Sequence, residues 1–405
     1  MLTTTTAFIT ELQRGGATGI LPPLAFAGVI TMHSFVCPWG TFELSRRPLR
    51  HHEPLQPFDA ADEYLLAEAA RLELAAGSRV LVVNDSFGAL AVSLAGHARV
   101  VSTGDSHLAY QALQDNLARA GLAADAVSFV PANEALAGPF DWVLMRVPKT
   151  LALFEEQLIR LHGQLAPGAR VVAGAMIKHL PRAAGELMAR YIGPLQASLA
   201  VKKARLLWAT PEPRPQPLSP YPSCYQLDQP ALTLVNHANV FCREGLDIGT
   251  RAFLPHLPSE RGALRVADLG CGNGILAICY ALTNPEAELT LVDESYMALQ
   301  SARDNWQAAL GERPVTIRAS DGLEGQPAAS LDRVLCNPPF HQQQVVGDYI
   351  ARRMFQQAQR ALVSGGELWL VANRHLGYHV RLQELFGNCT TIAATPKFVV
   401  LKAVR

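Results

Sequence analysis

Four landmarks occur twice in this chain, in the same order, and this duplication constrains its fold more than any other feature. In the second half, Arg265–Leu276 (RVADLGCGNGIL) reads as a buried strand, a glycine-rich turn and the start of a helix. Leu289–Asp293 (LTLVD) reads as a strand ending in an acid, and Asp332–Phe340 (DRVLCNPPF) as a strand ending in Asn-Pro-Pro-Phe. Leu362–Val371 (LVSGGELWLV) reads as a helix end, a Gly-Gly turn and a strand. The first half answers with Arg79–Leu90 (RVLVVNDSFGAL), Val100–Ser106 (VVSTGDS), Asp141–Lys149 (DWVLMRVPK), and Leu165–Gly168 leading to Val171 and Val172. Asp115 and Asn116 match Asp304 and Asn305, and Lys178–Leu180 (KHL) matches Arg374–Leu376 (RHL). The offset stays at about 186 to 196 positions throughout. Strands alternating with helices predict an α/β fold with a parallel, doubly wound sheet in each half. The β-rich run Lys397–Lys402 suits an antiparallel strand joining the second sheet.

At 405 residues the chain suits two domains of roughly 150–200 residues. The boundary is the proline-rich run Ala209–Pro222 (ATPEPRPQPLSPYP), since repeated proline fixes φ, removes N–H donors and stiffens the chain. The expected plan is a poorly ordered extension over 1–45, a first domain over 46–208, a linker over 209–224 and a second domain over 225–405. Asp59 is the expected N-cap of a helix whose apolar stripe is Tyr64, Leu65, Ala69, Leu72 and Leu74. Residues 1–31 hold the short apolar stretch Gly19–Ile30, interrupted by Pro22 and Pro23, with Arg14 as its nearby positive charge. That is a poor signal peptide. An upstream start codon, with Met32 as the true start, is the expected explanation.

Lys+Arg and Asp+Glu both number 35, so no global basic field holds nucleic acid, and any RNA contact must use local patches. None of the seven cysteines forms a CxxC pair and no Cys/His cluster has zinc spacing, which points to a reduced, cytoplasmic protein without metal. No run of about 18 apolar residues suggests a membrane span.

Gly270, Gly272 and Gly274 let the backbone turn sharply and approach a ligand closely. Ligands in such sheets sit beyond the C-terminal strand ends. The turn alone also fits dinucleotide enzymes. The glycine or alanine their fingerprint needs three residues after the second glycine is Ile275 here. Asp293, about 20 residues on at a strand end, suits a pair of ribose hydroxyls. Asp321, after the expected strand Val315–Ala319, suits an adenine amino group, and equally a loop or helix cap.

Asn337–Phe340 indicates the reaction class. Two prolines after a buried strand leave the loop few conformations and remove two donors, so that carbonyls face the pocket. A purine amino group is a poor nucleophile because its lone pair is delocalised. If Asn337 Oδ1 and the Pro338 carbonyl accept its two hydrogens, the lone pair is aimed and growing positive charge meets oriented dipoles. Phe340 would stack on the base.

The turn Asp268–Gly274 together with Asn337–Phe340 resembles the class I methyltransferases that modify exocyclic amines. Phe241–Gly249 (FCREGLDIG), Asn337–Gln343 (NPPFHQQ), Ala372–Leu376 (ANRHL), Phe386–Ile392 (FGNCTTI) and Lys397–Lys402 (KFVVLK) are similar to ribosomal RNA large subunit methyltransferase G. A sister family acting on small-subunit rRNA shares the duplication. The resemblance covers roughly residues 50–405. It implies two tandem Rossmann-like methyltransferase domains, the first degenerate. It implies S-adenosylmethionine as cofactor, held by Asp268, Gly270, Gly272, Gly274 and Asp293, with Asp321 a looser match. Asn337, Pro338 and Phe340 would hold the guanine. The implied substrate is guanine N2 in 23S rRNA, at the family's position 1835, in free RNA or an assembling large subunit. Small-subunit rRNA, an adenine N6 or a protein glutamine would suit the same four residues. A non-enzymatic RNA-binding assembly factor is the other class considered, and the intact glycines, Asp293 and Asn337 argue against it.

The first half has lost these features. Asn84-Asp-Ser-Phe-Gly88 replaces the glycine-rich turn, Gly104 stands in place of Asp293, and Arg146-Val-Pro-Lys149 replaces Asn337–Phe340. That half should be catalytically silent. Arg170, Lys178, Arg182, Arg190, Lys202, Lys203 and Arg205 are opposed within their stretch only by Glu186, and suit either phosphate binding or an ordinary solvated face. Arg146 and Lys149 mark a former substrate mouth that would now hold RNA backbone.

Overall fold

The apolar runs at each landmark become the centres of two sheets. The computed structural model describes residues 31–50, 53–259, 262–339 and 344–405, without the side chains of 344–348. In chain order the first half runs β1 (His33–Cys37), β2 (Gly40–Leu44), α1 (Ala60–Arg71), β3 (Arg79–Val83), α2 (Ala89–Leu94), β4 (Arg99–Gly104), α3 (His107–Arg119), β5 (Val127–Pro131), β6 (Phe140–Arg146), α4 (Leu151–Arg160), β7 (Leu165–Met176), α5 (Arg182–Tyr191), β8 (Leu195–Ala197) and β9 (Ala204–Ala209). The second half runs β10 (Ser223–Asp228), β11 (Ala231–Asn236), α6 (Ile248–Phe253), β12 (Arg265–Leu269), α7 (Ile275–Thr283), β13 (Glu288–Asp293), α8 (Tyr296–Leu310), β14 (Thr316–Ala319), β15 (Leu331–Cys336), α9 (Gln344–Ala361), β16 (Leu362–Asn373), α10 (Tyr378–Phe386), β17 (Thr390–Ala394) and β18 (Phe398–Val404).

Each half builds a seven-stranded sheet, ordered β5-β4-β3-β6-β7-β9-β8 in one and β14-β13-β12-β15-β16-β18-β17 in the other. The identical order establishes the duplication in three dimensions. Six of the seven strands in each sheet run in one direction, and β9 and β18 alone run opposite to them, each between two antiparallel neighbours. The sheets are therefore mixed rather than purely parallel, with β18 where the terminal β-rich run placed it. Helices cover both faces, so central strands are buried throughout rather than alternating: Val80–Val83 and Val266–Leu269 are all buried, Asp268 being the one polar residue among them. The strand order reverses between β13 and β15 on either side of β12, which opens a crevice at the C-terminal end of β12.

Helix α1 starts as expected. The Asp59 carboxylate accepts the Ala61 N–H at 2.8 Å, and Asp62 accepts the Asp59 N–H at 2.8 Å. The extension expected through residue 45 is shorter: β1 and β2 pair as a hairpin whose Phe35 and Leu44 are fully buried with Leu65 and Leu90. A five-residue strand has too few alternating positions to announce itself in the sequence. Residues 1–30, with the start-site reading, lie outside the described residues. Strand β16 begins at Leu362, so the Gly365-Gly366 turn lies inside a strand as a register irregularity.

The proline-rich segment is pinned to the first domain, where the Ser219 and Tyr221 hydroxyls donate to Glu156 and Glu155 on α4 at 2.5 and 2.9 Å. The two domains meet through a reciprocal exchange between equivalent loops. The Ser106 hydroxyl donates to Glu294 at 2.5 Å, and the Ser295 hydroxyl donates to Asp105 at 2.6 Å. Ala132, Leu153, Ala238 and Met297 are buried alongside.

The basic stretch is more engaged than its sequence suggests. Arg182 pairs with Glu186, Lys202 pairs with Glu63 from α1, and Arg170 lies over Trp142. Glu63 is a second opposing acid that the linear stretch conceals.

Candidate active site

The crevice beyond β12 holds a cavity of about 540 Å³. Its floor is the glycine-rich turn. The N–H groups of Gly270 and Cys271 both donate to the Val292 carbonyl, which docks the turn on β13. Gly272 has φ +54°, and a Cβ built there meets nothing within 4 Å, so the turn borders open space. Gly274 serves packing instead: at φ +83° its Cβ would come within 3.2 Å of Ala302 on α8. Gly270, Gly272, Asp293, Asp321, Asn337 and Pro338 all line the cavity, whereas Asp268 and Gly274 lie outside its lining. Phe340 lies outside the described residues.

Asp293 is fixed by backbone donors: Oδ2 accepts the Gly272 N–H and Oδ1 the Ser295 N–H, both at 2.9 Å. Burial pushes its pKa up, against those bonds. Asp268 is fully buried and accepts the Ala277 N–H at 3.1 Å, so it steadies the start of α7 from behind. Burial pushes its pKa up to about 7. One oxygen of Asp321 is paired with Arg353, while its Oδ2 is buried without a partner among the described residues. An acceptor pair beside the open turn and a spare buried carboxylate oxygen fit a nucleoside cofactor.

Strand β15 ends at Cys336, and the prolines that follow cannot extend the ladder. Asn337 emerges there. Its Nδ2 donates to Asp247 Oδ2 at 3.1 Å and to Thr250 Oγ1 at 2.9 Å. Its Oδ1 is buried without a hydrogen-bond partner among the described residues. A buried acceptor left unmade is costly unless something else satisfies it.

In the first half, protein groups occupy the equivalent space. The Asp85 carboxylate takes the N–H groups of Gly88, Leu90 and Ala91 at 3.0, 2.9 and 2.8 Å. Arg146 pairs with Asp59 and Asp62 at 2.8 and 2.5 Å, so it is an internal ion-paired residue and not an open phosphate contact. Lys149 instead lines the cavity of the second domain, together with Pro48 and Leu108.

The RLMG N-terminal domain family matches residues 32–213, and the methyltransferase small domain family matches residues 231–402. Ribosomal RNA large subunit methyltransferase G of Stutzerimonas stutzeri (strain A1501) is 70% identical over 368 residues, 91% of this chain and 98% of that one. The protein of the same name from Pseudomonas aeruginosa (strain UCBPP-PA14) is 69% identical over 372 residues, 92% of this chain and 100% of that one. The chain belongs to this family. It is thus an S-adenosylmethionine-dependent methyltransferase, as the resemblance implied. A solved T. thermophilus 16S rRNA N2 G1207 methyltransferase, in complex with AdoMet and guanosine, is 22% identical with a TM-score of 0.72. It covers 93% of this chain and 98% of its own, and shares the two-domain fold.

The sequence reading missed Asp247, Thr250, Pro48 and Leu108, and set Lys149 at the mouth of the first domain instead of this cavity. Asp247 lies inside the FCREGLDIG motif, which signalled the family without indicating a contact. Pro48 and Leu108 carry no local signal, because only domain packing brings them to the cavity. Among the described residues no helix is long and apolar enough to cross a membrane, and no group of three His, Cys, Asp or Glu could hold a metal ion.

Proposed function

We propose that this methyltransferase acts on ribosomal RNA, transferring a methyl group to the exocyclic N2 of a guanine in the 23S molecule, free or in an assembling large subunit. The family's position 1835 is the proposed target. The observation that carries the reading is the Asn337 carboxamide, a cavity-lining residue whose Nδ2 is bonded to protein while its buried Oδ1 has no partner among the described residues. A guanine N2 amine offers two hydrogens. Asn337 Oδ1 accepts one and the Pro338 carbonyl the other, which directs the nitrogen lone pair. S-adenosylmethionine bound here supplies an electrophilic methyl on a sulfonium. Asp293 accepts from the ribose hydroxyls and Asp321 Oδ2 from the adenine amine. Gly270 and Gly272 bring backbone close to the cofactor, and Asp268 and Gly274 support that turn from outside the cavity. Phe340 stacks on the base. Positioning supplies most of the rate, and no strong general base is needed.

The large-subunit assignment rests on relatives near 70% identity over nearly their whole length, against 22% for the small-subunit enzyme. That substrate places the enzyme in the cytoplasm. The first domain, silent in chemistry, forms part of the cavity wall and orients RNA. The test is methyl transfer from labelled S-adenosylmethionine to rRNA lacking the modification, followed by nucleoside mapping. Label recovered as N2-methylguanine in 23S rRNA supports the proposal. Label in adenine, in protein or in 16S rRNA refutes it.

A further inference from the structure

A carboxamide is almost the same shape after a half-turn about its last bond, yet the two states present opposite chemistry. With Oδ1 toward the cavity, Asn337 accepts from an amine; with Nδ2 there, it repels one. We infer that Asp247 and Thr250 form a clamp that fixes this choice, and are positioning residues for methyl transfer. The inference rests on the amine-acceptor role proposed for Asn337.

Asp247 is the N-cap of α6, and its Oδ2 accepts the Thr250 N–H at 2.8 Å, so its position is set by the helix. An ionised carboxylate can only accept. Nδ2 lies 3.1 Å from this oxygen; a flipped amide would set two acceptors against each other at that distance. Thr250 Oγ1, 2.9 Å away, takes the second Nδ2 hydrogen. Both donors of the amide are then used by Asp247 and Thr250, and the acceptor is the one polar atom of the amide left over. Residue 249 is glycine, and a Cβ there would sit 3.6 Å from Oδ1, so a bare backbone borders that atom.

The first domain supplies an internal control. Asp59 is the N-cap of α1, Asp62 stands three residues later, and both hold Arg146. Asp247, Thr250 and Asn337 occupy the matching places in the second repeat. One architecture, a helix N-cap and the residue three on gripping a residue at the C-terminal end of a central strand, thus occurs twice. Where the gripped residue is arginine, the second grip is a carboxylate and all is internal ion pairing. Where it is asparagine, the second grip is a neutral hydroxyl and one acceptor is left over.

The test compares Thr250→Val, Thr250→Ser and Asp247→Asn in the full chain, with S-adenosylmethionine and unmodified rRNA. Thr250→Val removes the acceptor and is expected to lower kcat by about 10–100-fold, the loss that misplacement of a reacting group brings, with cofactor Kd and RNA KM unchanged. Thr250→Ser keeps the hydroxyl and is expected to restore turnover. Asp247→Asn keeps a capping side chain and a foldable helix but lets the amide turn, and is expected to lose kcat alone. Wild-type turnover in Thr250→Val and Asp247→Asn would overturn the clamp, as would a serine variant no better than valine. Nucleoside mapping of the wild-type product tests the guanine reading separately, because the clamp is scored on whichever amine the enzyme methylates.

Discussion

Replacing Asn337 by alanine separates its two jobs. Oδ1 makes no bond to the described protein, so the fold loses only the two Nδ2 contacts, to Asp247 and Thr250. A neutral hydrogen bond contributes about 0.5–1.5 kcal/mol and one to a charged group about 1.5–3 kcal/mol, so the expected loss of stability is about 2–4 kcal/mol. Asp247 keeps the Thr250 N–H, which limits that loss. Turnover loses the acceptor aimed at the amine. Removing one such preorganised group typically lowers kcat by about 100- to 1,000-fold. Asp293 and the glycine-rich turn are untouched, so cofactor affinity should hold. The assay is steady-state methyl transfer with calorimetric titration of S-adenosylmethionine and thermal melting on one preparation. Near-normal kcat, or kcat and cofactor affinity falling together, would refute the assignment. Asn337→Asp sharpens the test, since it sets a carboxylate against Asp247. Two carboxylates so close cannot both ionise freely, so residual activity should fall as pH rises.

Gly274→Ala should destabilise the second domain by about 1–3 kcal/mol, since φ is +83° and Cβ would meet Ala302 at 3.2 Å; chemical denaturation within error of wild type would contradict this. Lys149→Glu should weaken RNA binding and lower its salt slope by about one charge, with cofactor affinity unchanged; an unaltered RNA KM would remove the first domain's lysine from the substrate path. Stability should fall between about pH 4 and 7. Burial raises Asp85 and Asp105 to about 6, and Asp268 to about 7. Between an ordinary value near 4 and these values, the folded protein keeps protons that the unfolded chain has released. That contribution is complete below pH 4 and lost as pH passes 6 to 7. A melting temperature that climbs from pH 4 to 7 would show that other groups dominate.

The duplicated α/β plan, the turn at Gly270–Gly274, the acid at Asp293 and the loop at Asn337 were legible because each depends on short-range chemistry. Buried strands need apolar runs, sharp turns need glycine, and a loop of two prolines cannot continue a ladder. Those requirements leave marks on consecutive residues. What packing alone decided lies between distant segments. Phe35 and Leu44 join the core because a short hairpin folds back on α1 and α2. Arg146 is neutralised by Asp59 and Asp62, and Lys202 by Glu63, across spans that a linear charge count cannot see. Lys149, expected at the first domain's own mouth, reaches the cavity of the second. The direction of the Asn337 amide is set by a helix cap some ninety positions away in the chain, since side-chain orientation depends on the partners that folding brings within three ångströms.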